Sequence, residues 1–217
     1  MTTIEAVVFD LDGVLVDTDH IWHEVREGLA RERGGRWTDH SEADMMGMSS
    51  TEWSQYLHDE VGLAETPEQL NAEVVRRMLA RYDEELPLLT GAADAVRRLG
   101  ESFRLAVASS SNRELIDGVL EAAGLAHRFE ATVSSEEVPR GKPAPDVFLE
   151  AARRLELEPR TCTAIEDSAK GIRAAHAAGM RVVAIPNRRY PPASEALALA
   201  DEVVTSITEL SVEVVGG

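Results

Sequence analysis

Six short apolar runs recur along the chain, at 5–9, 104–108, 131–133, 162–165, 181–185 and 202–204, and helix-like stretches fill most of the intervals between them. The runs are rich in Val, Ile and Ala and of strand length, so they read as buried strands. Strands separated by a helix's length of chain return in the same direction, which makes the sheet mostly parallel with helices on both faces. The helical intervals carry their own punctuation. The stretch 112–123 opens on Asn112 as an N-cap and stops at Gly124; 146–155 follows Pro143 and Pro145 and precedes Pro159; 168–178 opens on Ser168 and stops at Gly179.

One interval breaks the rhythm. From 18 to 85 the apolar residues fall at helical spacing, with Ile21, Val25 and Leu29 on one face and Leu70, Val74, Met78 and Leu79 on another, and no strand pattern intervenes. The expected organisation is therefore a sheet-bearing core of residues 1–17 and 86–217, with 18–85 inserted after the first strand as a helical block. Met45, Met46, Gly47, Met48 and Trp53 cluster in that block, where they read either as an ordinary small helical core or as the lining of a pocket facing the sheet.

In an open parallel sheet, ligands bind beyond the carboxyl ends of the strands, so the polar residues that follow each strand are the informative ones. The first run, AVVF, leads straight into Asp10 and Asp12, which strand periodicity would send to the same side. Carboxylates that close repel each other, and burial sharpens the repulsion, so a cation is expected beside them. The second run ends in Ser109, Ser110, Ser111 and Asn112; Lys142 follows the third; Glu166, Asp167 and Ser168 follow the fourth. Carboxylates at two strand ends suit a hard cation such as Mg²⁺, which takes oxygen ligands and shares them with phosphate. A hydroxyl, a lysine and a helix N-terminus suit an oxyanion alongside it. The sequence DLDG is not an EF-hand loop, which needs glycine at its sixth position; counted from Asp10 the sixth residue is Leu15. An aspartate can attack phosphorus, and a second carboxylate can protonate the leaving oxygen and then activate water.

The bulk numbers narrow the partners. Lys+Arg 22 against Asp+Glu 39 gives a formal net charge of −17, which argues against nucleic acid and anionic membranes. No apolar run approaches the length that spans a bilayer. The expected partner is a small-molecule phosphomonoester, and the expected assembly a monomer or weak dimer. Cys162 is the single cysteine, so no disulfide closes within the chain, and a reducing cytoplasm is the expected compartment. Cys162 itself reads as a small buried residue within the 161–165 run rather than a reactive thiol.

Four ordered segments, FDLDGVLVDT, VASSSN, GKPAPDVF and IEDSAKGIRAA, resemble the motifs of the haloacid dehalogenase-like hydrolase superfamily, and the chain is similar to its β-phosphoglucomutase-like branch of sugar-phosphate phosphatases and mutases. The resemblance runs over essentially the whole length. It implies a Rossmann-like three-layer α/β core with an inserted helical cap, Mg²⁺ as cofactor and an aspartyl-phosphate intermediate. It makes Asp10 the nucleophile and Asp12 the general acid/base, whose main-chain carbonyl also binds the metal. It makes Ser109, Ser110 and Lys142 the phosphate-binding group, Asp167 a metal ligand, and Glu166 a further ligand or a support for one. In the cap, Trp22, His23, Gly47, Met48 and Ser50 are the candidate specificity residues. A mutase of this branch would carry His where Trp22 stands, and His23 is one residue off; it would also carry an Arg after the Gly-x-Ser of the cap, where GMSS offers Ser50. The cap contains no lysine, so the Schiff-base chemistry of phosphonate hydrolysis is excluded, and dehalogenation has no use for Asp12. A phosphatase is therefore the leading expectation, with a sugar-phosphate mutase and a non-catalytic phosphate-binding module as alternatives.

Overall fold

The computed structural model describes residues 3–217, and its strands assemble into a six-stranded sheet, all parallel, in the order β3-β2-β1-β4-β5-β6. The strands are β1 (Ala6–Phe9), β2 (Arg104–Ser109), β3 (Ala131–Ser134), β4 (Cys162–Glu166), β5 (Arg181–Ala184) and β6 (Glu202–Val203). β1 lies at the centre, where the winding changes direction, with β2 on one side and β4 on the other. Such a reversal opens a crevice at the strand ends. The register aligns Phe9 with Val107 and with Ile165, so Asp10 and Glu166 leave the sheet at one edge, with Ser109 close behind. β2 and β4 each run one residue further than their apolar runs, carrying Ser109 and Glu166 as strand residues.

The strand period separates two apolar layers. Val7, Phe9, Leu105, Val107, Ile165 and Val183 face a layer shared by α5 (Ala92–Leu99), α6 (Arg113–Ala122) and α10 (Val212–Gly216). Ala6, Val8, Ala106, Ala108, Ala164, Val182 and Ala184 face α7 (Asp146–Arg154) and α8 (Ala169–Ala177). The short alanines of the second face let those helices approach closely. A four-residue helix, α9 (Ser194–Leu197), packs on α8.

The interval 18–85 holds α1 (Asp19–Glu32), α2 (Ser41–Met45), α3 (Ser50–Asp59) and α4 (Pro67–Glu84), and no strand. α3 and α4 each open with a capping box, Ser49 with Glu52 and Thr66 with Gln69, which satisfies orphan amides at both starts. The two connecting segments lie side by side: Asp17 N donates to Pro87 O at 2.8 Å, and Leu89 N to Leu15 O at 2.9 Å. The block thus joins the sheet by a paired stalk that enters directly behind Asp10 and Asp12.

One helix start differs from the sequence expectation. Asn112 occupies the N-cap position of α6, but its side chain makes no capping bond. Its amide donates instead to Glu136 Oε1 at 2.7 Å and Asn71 Oδ1 at 3.0 Å, and Glu136 Oε2 accepts from Arg113 N at 3.0 Å. A carboxylate from the segment after β3 takes over the cap, where the helix dipole favours negative charge.

Candidate active site

β1 delivers Asp10 into a nearly dry position, beside the ammonium of Lys142, which the sequence had assigned to the phosphate. Lys142 Nζ stands 3.0 Å from Asp10 Oδ1 and 2.5 Å from Glu166 Oε1, with all three residues buried. Burial alone would push the ammonium down, but the two carboxylates outweigh it and hold it above the ordinary lysine value. Glu166 is heavily engaged, its Oε2 accepting from Asp167 N, Ser168 N and Ser168 Oγ. Gly171 makes room for that carboxylate, since a Cβ there would lie 1.9 Å from Glu166 Oε1.

Asp10 remains under-served. Its buried Oδ1 has Lys142 as an ion-pair neighbour and no other polar partner. Burial, then the Glu166 charge, raises the Asp10 carboxyl from 3.8 to about 7. Asp167 is raised as well, by burial and by its Glu166 and Asp10 neighbours. Asn187 Nδ2 holds Asp167 Oδ2 at 2.9 Å and reaches Asp19 Oδ2 at 2.8 Å. Each of Asp10, Glu166 and Asp167 offers an oxygen within 4.8 Å of the others. Three crowded, buried carboxylate oxygens with one orphan among them fit a hard divalent cation, whose charge would relieve their repulsion.

Asp12 is fixed by three donors. Its Oδ1 accepts from Thr18 Oγ1 at 2.5 Å and Trp22 Nε1 at 3.2 Å, and its Oδ2 from Ser111 Oγ at 2.5 Å. Ser109 Oγ accepts from Ser111 N at 3.0 Å, which leaves its own proton free to donate. Ser110 Oγ is buried without a partner. Both hydroxyls line the cavity that holds Asp10, Asp12 and Lys142.

That cavity measures ≈ 80 Å³. A roomier hollow of ≈ 470 Å³ lies by the stalk, lined by Asp17, His20 and Arg188 among others, but it contains none of Asp10, Asp12, Lys142 or Asp167. From the helical block, Trp22, Gly47 and Met48 line the smaller cavity, together with Met45, Met46 and Trp53. His23 and Ser50 do not. His23 sits behind Glu42, its Nδ1 3.8 Å from Glu42 Oε2, and Ser50 Oγ donates to Glu136 Oε1 at 2.8 Å, tying α3 to the sheet-bearing part.

Arg26 was not among the candidate residues; the structure buries it in the cavity wall, 4.3 Å over the Trp22 ring and 5.0 Å from the Trp53 ring, facing Glu42. The signal was its i+4 spacing from Trp22, inside the apolar stripe of α1. Asn187 was also missed, although the strand-end rule applied to β5 would have found it. Cys162 is buried at the start of β4 with its thiol pushed up to about 11 by burial, as befits an inert packing residue.

Residues 4–179 match the family model of a haloacid dehalogenase-like hydrolase. The chain is 33% identical over 229 residues to hexitol phosphatase B of Escherichia coli, covering 96% of this chain and 95% of that protein. It is 32% identical over 209 residues to a bifunctional riboflavin kinase/FMN phosphatase of Arabidopsis thaliana, covering 95% of this chain and spanning only 54% of that longer protein. A crystal structure of β-phosphoglucomutase from Clostridium difficile superimposes with a TM-score of 0.83 at 26% identity, covering 97% of this chain and 94% of that one.

Proposed function

The chain belongs to the haloacid dehalogenase-like hydrolases, in the branch that includes sugar-phosphate phosphatases and β-phosphoglucomutases, and on that footing we propose that it is a Mg²⁺-dependent phosphatase of a small, sugar-like phosphomonoester. One observation carries the reading: a buried Asp10 whose Oδ1 lacks a hydrogen bond, set between Lys142 and the carboxylates of Glu166 and Asp167. A carboxylate held this way is poor at staying charged and good at being consumed by a bond to phosphorus.

Asp10 attacks the phosphoryl group and becomes an aspartyl phosphate. Lys142 and the free protons of Ser109 and Ser110 hold the phosphoryl oxygens as charge builds on them. Asp12, oriented by Thr18, Trp22 and Ser111, gives a proton to the departing oxygen and afterwards takes one from the water that cleaves the acyl phosphate. Asp10, Asp167 and the main-chain carbonyl of Asp12 would hold the cation, with Glu166 anchoring Lys142 beside them. When bound, the cation neutralises the phosphate and polarises its oxygens. Residues 18–85 act as the cap that closes over the substrate, and the Ser50–Glu136 bond fastens it.

Hydrolysis is favoured over isomerisation by the occupant of the first cap helix. Trp22, an indole that gives up no proton at neutral pH, takes the hydrogen-bonding position at Asp12 Oδ1. The test is a side-by-side assay of phosphate release and of glucose 1-phosphate isomerisation, with Mg²⁺ and no bisphosphate activator. Phosphate release without isomerisation is the expected result; isomerisation faster than release would make the chain a mutase.

A further inference from the structure

The cap end of the cavity is furnished by a charge pair that the chemistry at Asp10 does not use. Arg26 on α1 and Glu42 on α2 are 5% and 4% exposed, with Arg26 Nη1 3.5 Å from Glu42 Oε1. That is the outer limit of a hydrogen bond. Two further atoms of the pair, Arg26 Nε and Glu42 Oε2, are buried with no hydrogen-bond partner. The guanidinium is clasped between the rings of Trp22 and Trp53, which fix where it can point. Trp22 also donates to Asp12, so a single indole separates the pair from the acid/base.

A buried ion pair seldom stabilises a fold better than apolar residues of the same size, and a half-satisfied one is worse. Its unused atoms ask for one acceptor and one donor. A hydroxyl group is both, and neighbouring hydroxyls supply one each. A second phosphate offers acceptors only and would leave Glu42 facing a like charge.

We propose that Arg26 and Glu42 form a hydroxyl-reading subsite that selects monophosphates of polyhydroxylated carbon chains or rings and rejects bisphosphates. The proposal rests on the phosphatase reading of Asp10 with a sugar-like substrate, and adds to it the residues that set specificity and the discrimination against bisphosphates. Arg26 donates to a hydroxyl oxygen, Glu42 accepts a hydrogen bond from a hydroxyl, and together they present no net charge to the far end of the substrate.

Three substrates test it: a linear polyol monophosphate, an alkyl phosphate of equal chain length, and the matching polyol bisphosphate. Values of kcat/KM are compared for the wild-type protein, Glu42→Gln and Arg26→Lys, with thermal unfolding recorded for each. The wild-type protein should prefer the polyol monophosphate over the alkyl phosphate by about tenfold or more, the worth of one hydrogen bond to a charged group. Arg26→Lys should erase most of that preference. Glu42→Gln should raise the bisphosphate-to-monophosphate ratio by about tenfold, which a merely structural role would not do. If either variant fails to fold, the wild-type ranking decides. Equal turnover of alkyl and polyol phosphates overturns the subsite and leaves the phosphatase standing. A folded Glu42→Gln protein that loses the same fraction on all three substrates also overturns it. No Mg²⁺-dependent release from any of the three overturns the reading of Asp10, and the subsite with it.

Discussion

A buried carboxylate without a hydrogen bond is costly to keep, and Asp10 is kept beside two others. The isosteric amide removes both the repulsion and the nucleophile. Asp10→Asn is therefore expected to lower phosphate release by on the order of 10⁴-fold while leaving the melting temperature equal or higher. A folded Asp10→Asn protein with more than a few per cent of activity would remove Asp10 from the chemistry. Gly13 offers a second residue-scale test. Its φ is +78°, and a Cβ there would stand 2.0 Å from Asp167 Oδ2. Gly13→Ala should push Asp167 aside and raise the Mg²⁺ concentration needed for half-maximal activity by about tenfold or more, whereas Ser109→Ala should act mainly on substrate KM. Equal Mg²⁺ requirements in the two variants would detach Asp167 from the cation. These residues were legible because strand ends are where a parallel sheet exposes side chains, and Asp10, Ser109, Lys142 and Asp167 all follow apolar runs. Arg26 was not legible: a charge in an amphipathic helix reads as solvated until tertiary packing shows Trp53 covering it.

The strands β1 to β5 and the helices α6, α7 and α8 were readable from periodicity because each buries an apolar face, and the differences are of one residue at the ends; α5, α9 and α10 were not singled out. Asn112 was placed rightly at the N-cap of α6 but not as its capping acceptor, since a cap supplied by Glu136 from another segment leaves no local pattern. For the helical block the sequence left two readings of Met45, Met46, Gly47, Met48 and Trp53, a small core or a pocket lining, because spacing marks them apolar but not what they face; all five line the cavity. The local caps can be tested apart from catalysis. Thr66 closes the capping box of α4, away from the cavity. Thr66→Ala should reduce unfolding free energy by about 1 kcal/mol with phosphate release unchanged. A larger fall in activity than in stability would mean that α4 transmits its end geometry to the site. Trp53, by contrast, is 1% exposed and carries both Trp22 and Arg26 on its ring. Trp53→Ala should cost about 3–5 kcal/mol and reduce turnover together, because the same packing holds the fold and the cavity wall.

Across the whole molecule, the carboxylate cluster links stability, pH and metal. The Asp10 carboxyl stands at about 7 against an ordinary 3.8, and Asp167 is raised too. A carboxyl raised on folding holds its proton more tightly in the native state. Its contribution to stability is complete below the ordinary value and is lost as pH climbs through the raised one. A bound cation favours the ionised forms and restores what is lost. The rise in melting temperature caused by Mg²⁺ should therefore be small near pH 5 and larger near pH 8; an equal rise at both would separate the cluster from the metal. The acidity of the chain, −17 overall, acts in the same sense, since a site that takes an anion in so negative a molecule needs its positive charge supplied locally. The central claim, that Asp10 itself carries the phosphoryl group, is tested most directly by quenching the protein in acid during turnover of a small phosphomonoester with Mg²⁺. Reduction with borohydride then converts any acyl phosphate to an alcohol, and mass spectrometry of the peptide containing residue 10 reads the result. The account predicts homoserine at position 10, only when both substrate and Mg²⁺ are present. Rapid phosphate release with an unmodified Asp10, or with the reduced residue elsewhere in the chain, would contradict it.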